Sequence, residues 1–315
     1  MLAALWCLTA AGQEREPLRV MFWNLENFFD YRNDSLSVAD AEFSSRGARR
    51  WTRRRFDAKC NAIAKSILWT AGSQGGLPDI IGVAEVENAF VLRRLLQNTA
   101  LSKLDYRIVH YDSPDPRGID VALLYRASRC KLISSKPCHL YQEDGTVMAT
   151  RDILVAQFTC PDGEDLAVMV NHHPSKYGGA ASEPRRRKAV ERLGEIADSL
   201  QNAGITRMVA MGDFNDTPDN SVYQVLEPRL HNLAASLWKG GRGTIKFDGG
   251  WELIDMFFVS DALAQTRMEI VRIPFLEERD NAHGGTKPLR TYTGPRHRGG
   301  VSDHCPIWLT VPQNP

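Results

Sequence analysis

The sequence predicts an α/β fold, a single domain with many strands inside and helices outside. Three observations carry that expectation. Short apolar runs recur along the chain, each bounded by Gly, Pro or polar residues, which is how buried strands read. Two longer stretches, 51–69 and 183–201, read as helices, the first with Phe56, Ile63 and Ile67 on one face. No repeat of fixed period and no low-complexity linker divides the 315 residues, so one layered domain fits best.

In chain order, Leu18 to Trp23 (LRVMFW) is the first strand, ending at Asn24. Residues 30–50 are polar and irregular and read as a surface loop. The helix 51–69 carries Arg53, Arg54 and Arg55 near its start. The run RGARRWTRRR is the densest positive patch in the chain; it is either solvated or placed to meet a phosphate backbone. Pro78 and Asp79 open the strand Ile80 to Ala84, which ends at Glu85, and a helix follows over 88–98. Tyr106 to His110 and Val121 to Tyr125 are strands separated by the turn SPDPRGID.

Lys131 to Leu140 and Ile153 to Cys160 are further strands. Leu166 to Val170 is a buried one, ending in Asn171, His172, His173 and Pro174. The helix 183–201 has Arg185, Arg186 and Arg187 in its first turns, where cations oppose the helix dipole and so need anionic partners or water. Met208 to Met211 runs into Gly212 and presents Asp213 and Asn215. That spacing points both side chains to one side of an extended segment; an Asx-rich turn, closed by Asp216 and Pro218, is the alternative. A short helix near 221–226 and a Gly-rich loop precede the strand Leu253 to Val259, which carries Asp255. Residues 277–300 form a long polar loop, and the last strand, Ile307 to Val311, follows Ser302, Asp303, His304, Cys305 and Pro306.

Composition bounds the function. With 43% hydrophobic and 24% charged residues the chain can bury a sizeable core, and a net charge of +1 gives no global field for coating nucleic acid or membrane. An enzyme that meets phosphate locally stays open. Leu2 to Ala11 is apolar, too short to span a membrane, and resembles the apolar region of a secretory signal without its positive start. Residues 1–17 are therefore expected to be a signal peptide or a disordered N-terminus, and 18–315 the folded domain. Export to a periplasmic or extracellular space is the expected location, with the cytoplasm as the alternative. Six cysteines without a CxxC pair argue against structural zinc. Cys130 and Cys138 flank what reads as a turn and are a candidate bridge; the rest read as buried thiols.

The strand ends share one chemistry: Asn24, Glu85, His172, Asp213 with Asn215, and Asp303 with His304, with Asp255 inside another strand. Oxygen donors without Cys favour a hard cation, Mg²⁺ or Mn²⁺, over zinc. Two His beside carboxylates can handle protons near neutral pH. There is no Ser elbow and no Walker loop, so metal-assisted phosphoester hydrolysis is the natural reading.

Seven motifs, FWNLEN (22–27), PDIIGVAEVEN (78–88), RGIDVALLYR (117–126), VNHHPS (170–175), GDFND (212–216), LIDMFFVS (253–260) and SDHCPI (302–307), resemble those of the endonuclease/exonuclease/phosphatase superfamily, in the same order and across 18–311. The resemblance implies a four-layer αββα sandwich of two packed mixed β-sheets, DNase I-like, with the site at one end. It implies Glu85 as principal metal ligand with Asn24 beside it and Asp303 near the metal, which would be Mg²⁺, Mn²⁺ or Ca²⁺. Asp213 would align or deprotonate the attacking water, and Asn215 would hold it. His304 would contact the scissile phosphate, oriented by Asp255, and His172, not His173, would steady the phosphate. Arg117, Lys176 and Arg186 are candidates to reach substrate phosphate. The expected activity is hydrolysis of phosphodiesters, first in nucleic acid, as an endonuclease or exonuclease, with a phospholipid or inositol phosphate substrate as the alternative. A monomer without stable membrane insertion is expected. A non-catalytic binding module is disfavoured because every one of these residues is present.

Overall fold

The computed structural model describes residues 16–33, 37–176 and 179–313. The expected leader lies almost wholly outside these residues. Among them, two six-stranded sheets carry the fold. In chain order the strands are β1 (Leu18–Phe28), β2 (Ile80–Val86), β3 (Tyr106–His110), β4 (Asp120–Arg126), β5 (Lys131–Cys138), β6 (Ile153–Thr159), β7 (Asp165–His172), β8 (Met208–Asp213), β9 (His231–Asn232), β10 (Asp255–Val259), β11 (Met268–Ile270) and β12 (Ile307–Val311). The longest helices are α1 (Arg53–Ser73), α2 (Ala89–Gln97) and α3 (Glu183–Asn202).

The first sheet has the order β11-β12-β1-β2-β4-β3 and the second β5-β6-β7-β8-β10-β9. Each contains one parallel pair, β1 with β2 and β7 with β8, among antiparallel neighbours. A parallel pair needs a crossover, and α1 and α3 supply the two. Each sheet therefore sends two strands out at one end, and antiparallel partners begin there. Asp255 at the start of β10 pairs with Asp213 at the end of β8, and Asp120 at the start of β4 pairs with Val86 at the end of β2. That geometry gathers the polar strand ends.

Residues of β1 alternate between two cores. Leu18, Val20 and Phe22 pack toward the second sheet with Val168, Val170 and Met211. Met21, Trp23 and Leu25 pack under α1 and α2 with Phe56, Ile63 and Leu92. Period-two alternation between two apolar layers is what a central strand covered on both faces requires. Gly82 leaves the room that Met211 fills from the opposite sheet: a Cβ there would lie 2.7 Å from the Met211 Cε. The layers run helices, sheet, sheet, helix, the four-layer αββα sandwich.

Four expectations change. The segment 30–50 is not simply a surface loop: it holds a short helix, Val38–Glu42, and Phe43 is buried and stacks on Phe29 with ring centroids 5.1 Å apart. Its few aromatics dock into the α1 layer, which no periodicity in a polar run discloses. The segment 277–300 folds into two short ribbons, Glu277–Arg279 with Thr286–Pro288 and Tyr292–Thr293 with Arg296–His297. Asp255 opens its strand instead of lying inside it. Cys130 and Cys138 are free, because β5 itself runs between them and an extended segment of that length separates its ends by roughly 25 Å, far beyond disulfide reach. Among the described residues, no helix is long and apolar enough to cross a membrane.

Candidate active site

β8 ends on Asp213, which is buried and bonded on both carboxylate oxygens. Its Oδ2 accepts from Asn24 Nδ2 at 3.0 Å and lies 3.7 Å from His172 Nε2 and 3.8 Å from His304 Nε2. Its Oδ1 accepts from the Asn215 N–H at 2.9 Å. Asn215 sits at φ 51°, a left-handed turn that Asn tolerates better than most residues. Its Nδ2 donates to the His173 carbonyl at 3.0 Å. The glycine before Asp213 is required by packing, since a Cβ at Gly212 would lie 2.2 Å from the Asn171 carbonyl oxygen.

The backbone of His304 is fixed from β1. Trp23 Nε1 donates to the His304 carbonyl at 2.9 Å, the His304 N–H donates to Ser302 Oγ at 3.0 Å, and Ser302 Oγ donates to the Asn24 carbonyl at 2.6 Å. The ring Nδ1 lies 2.8 Å from Asp255 Oδ2, which turns Nε2 toward Asp213. Burial disfavours the charged ring, but the Asp255 and Asp213 carboxylates outweigh it and hold the imidazolium well above its usual range. Burial raises Asp213 to about 7, with His304 opposing and Asp255 adding to the rise. His172 is driven well below its ordinary value by burial and then by Arg151 and Arg117. Two imidazoles a few ångströms from one carboxylate are thus pushed in opposite directions, a pattern that separates acid from base roles.

Glu85 reaches the same end through a bulge. Ala84 pairs with Val121 and Val86 with Asp120, so Glu85 is the extra residue, at φ 59°. Bulges re-aim side chains, and this one interrupts the alternation of β2 at its carboxylate. Glu85 Oε2 accepts from the Asn27 N–H at 2.7 Å and lies 3.5 Å from Arg117 Nη2, which also donates to Asn27 Oδ1 at 2.8 Å. Asp303 places Oδ1 3.9 Å from His304 Nε2 and Oδ2 3.0 Å from Arg290 Nη2.

Asn24, His172, Asp213, Asn215, Asp255, Asp303 and His304 therefore form one linked cluster; Glu85 and Arg117 are joined to each other through Asn27, and Ala84, just before Glu85, pairs with Asn24. Lys176 is at the side, 3.0 Å from Glu252 and 3.9 Å from Asp216. Arg186 is not brought to the cluster. It is buried, 3.2 Å from Asp216, and its Nη1 donates to Ser182 Oγ at 2.8 Å and to the Ser175 carbonyl. Its guanidinium fastens the turn after Asp213 to α3, which is why an Arg-rich first turn survives against the helix dipole. The donor set fits a hard cation: carboxylates and an amide without thiols, with Asp213, Asp255 and His304 mutually within 4.8 Å and Asp255 Oδ1 buried without a hydrogen-bond partner.

Residues 19–313 match the Endonuclease/Exonuclease/phosphatase family. The chain belongs to the endonuclease/exonuclease/phosphatase family. It is therefore a phosphoric ester hydrolase of a divalent-metal-dependent family. A humanized TDP2 from D. rerio superposes with a TM-score of 0.58 at 18% identity, covering 93% of this chain and 98% of that one. The catalytic domain of human Nocturnin, with bound sulfate, gives 0.56 at 18% identity over 93% of each chain. A mannosyl-6-phosphatase from Bacteroides thetaiotaomicron gives 0.57 at 17% identity over 93% and 98%. No curated protein matches the chain.

Within this family member, three charged residues near the site carry little sequence signal. Glu26 is buried and shares Arg290 with Asp303; its Oε1 accepts from Arg290 Nε and its Oε2 from the Thr291 N–H, both at 2.8 Å. Burial, then Asp303, raises it to about 7. Lys59 is buried on α1, donates to Thr291 Oγ1 at 2.8 Å and to the Glu26 carbonyl, and is lowered by burial to about 8 against the pull of Glu26. A signal for Lys59 existed, because it falls between Phe56 and Ile63 on the apolar face of α1. Arg290 had none: it comes from the aperiodic 277–300 segment.

Proposed function

We propose that the chain hydrolyses phosphodiester bonds with a bound divalent cation, and that nucleic acid is its substrate. The observation that carries the reading is the convergence of Asn24, Glu85, Asp213 and His304 from the ends of both sheets. Glu85, Asn24 and Asp303 would hold the cation, which when bound supplies positive charge to the phosphoryl oxygens. Asp213, raised toward neutrality, is suited to take a proton from the attacking water, and Asn215 fixes the turn that presents it. His304 donates from Nε2 to the phosphoryl oxygen where charge develops. Asp255 holds the ring in that orientation, and neutral His172 donates or accepts a hydrogen bond beside it. Arg117 reaches the phosphate from the Glu85 side.

Nucleic acid is favoured over smaller esters by Arg46, Arg50 and Arg54. All three are exposed and carry no ion pair among the described residues, and they stand close in sequence to Arg49, which lines a pocket with Arg290 and Tyr292. Unpaired cations gathered in one segment suit a repeating backbone of phosphates. The test is a panel of plasmid DNA, abasic duplex, RNA, sphingomyelin, inositol phosphates and sugar phosphates, with Mg²⁺ or Mn²⁺, on the wild type and His304→Ala. Cleavage of a nucleic acid, lost in His304→Ala and on adding EDTA, is expected. Turnover of lipid or sugar phosphates alone overturns the substrate assignment. Activity that survives both chelation and Asp213→Ala overturns the mechanism.

A further inference from the structure

Arg290 lies between the two short ribbons of the polar 277–300 segment. Its Nε donates to Glu26 and its Nη2 sits 3.0 Å from Asp303, so two carboxylates fix the guanidinium plane along two edges. Among the described residues, Nη1 has no partner. The side chain is 48% exposed and lines a pocket with Asn27, Phe43, Arg49 and Tyr292. Asp303 is shared: one oxygen holds Arg290 and the other lies 3.9 Å from His304 Nε2, so a single carboxylate spaces the guanidinium from the imidazole.

Anchoring the fold does not require this arginine. Glu26 already accepts from the Thr291 N–H on its carboxylate and from the buried Lys59 ammonium on its carbonyl, so this stretch stays tied to β1 and α1 without the guanidinium. What the arrangement does achieve is a planar donor held on two sides, with Nη1 free and Asp303 linking it to His304. A guanidinium is the side chain suited to two phosphoryl oxygens at once.

We infer that Arg290 is a substrate-contacting residue that binds the phosphoryl group through its free Nη1 edge, opposite His304. This rests on the phosphoesterase reading above. Glu26 and Lys59 are then positioning residues: they set the guanidinium plane and touch no substrate.

The test compares the full chain, Arg290→Ala, Arg290→Lys and a control in the same 277–300 segment, Arg296→Ala. Two readouts are taken with Mn²⁺ present: calorimetric titration with inorganic phosphate, and hydrolysis of bis(p-nitrophenyl) phosphate. Arg290→Ala is expected to weaken phosphate binding and to lower kcat/KM by roughly 10²- to 10³-fold, the scale of one lost oxyanion donor. Arg290→Lys keeps a cation for Glu26 and Asp303 but lacks the fork, and should recover little. Added guanidinium ion should restore part of the Arg290→Ala rate, which a purely structural arginine would not allow. Unchanged phosphate affinity in Arg290→Ala and Arg290→Lys overturns the inference, as does an equal loss in Arg296→Ala. Should Arg290→Ala not fold, Arg290→Lys carries the comparison. A wild type that hydrolyses no phosphoester sinks the functional reading alone, because the phosphate titration still reads Arg290.

Discussion

Asp255 Oδ2 and His304 Nδ1 stand 2.8 Å apart, and the two residues reach that contact from opposite strand starts of the two sheets. Asp255 is fully buried and the imidazole nearly so. The pair fixes which ring nitrogen faces Asp213.

Asp255→Asn tests that relation. The amide keeps the volume and a hydrogen bond, but it removes the charge that sustains the imidazolium against burial and lets the ring adopt the other tautomer. Turnover should fall roughly 10²- to 10⁴-fold, the range of a lost acid–base partner, with KM little changed. Steady-state kinetics on a plasmid or a model diester reads it. A KM effect without a kcat effect would mean that the pair serves binding.

Glu85→Gln separates the metal from the fold. The bulge at Glu85 is set by backbone register, and Gln can still accept from the Asn27 N–H, so the thermal midpoint should stay close to wild type. The affinity for Mn²⁺ should fall at least tenfold, roughly the smallest change seen when a metal site loses one supporting group. Calorimetric titration of the two proteins with Mn²⁺ decides it. Equal affinities would move the ion away from Glu85 toward the Asp213 and Asp255 carboxylates.

His173 gives a pH signature. Burial, then Arg151 and Arg186, lowers it to about 3, and neither ring nitrogen has a hydrogen-bond partner. The ring packs edge-on against Phe214 with centroids 4.7 Å apart. Between pH 6.5 and 3 the unfolded chain takes up a proton here and the folded chain does not. Stability from this group is therefore complete above pH 6.5 and is lost as pH falls toward 3, at up to about 1.4 kcal/mol per pH unit. His173→Phe keeps the main-chain bonds that Asn215 and Arg151 make to the residue 173 carbonyl, and should flatten that slope. Urea denaturation of both proteins at pH 7.5, 6 and 5 measures it; parallel slopes would place the acid sensitivity elsewhere.

The strand ends that build the cluster were legible because a polar residue closing an apolar run signals itself locally. Asn24, Glu85, His172 and Asp213 all close such runs, although β1 continues past Asn24 to Phe28. The start of β10 was misplaced for a physical reason: Leu253 and Ile254 look like strand, but Ile254 and Asp255 turn their N–H groups to Thr244 Oγ1 in the preceding loop. The Glu26, Lys59 and Arg290 group was hidden because its members are 33 to 264 residues apart and meet only after α1 and the 277–300 ribbon pack onto β1. The bulge at Glu85 was hidden as well, since register depends on the partner strand.

Arg186 is the case in which a residue read as reaching phosphate is expected to matter only to stability. Its ion pair with Asp216 is buried on both sides, and Asp216 also accepts from Asn220 Nδ2 at 2.8 Å. Arg186→Met leaves that carboxylate in place without its guanidinium, and stripping one partner from a buried pair costs roughly 3 kcal/mol. The thermal midpoint should fall by several degrees, while KM for a phosphodiester, measured well below that midpoint, should hold. Loss of substrate affinity in a folded Arg186→Met protein would return Arg186 to the substrate track, and would require the Asp216 pair to open when substrate binds.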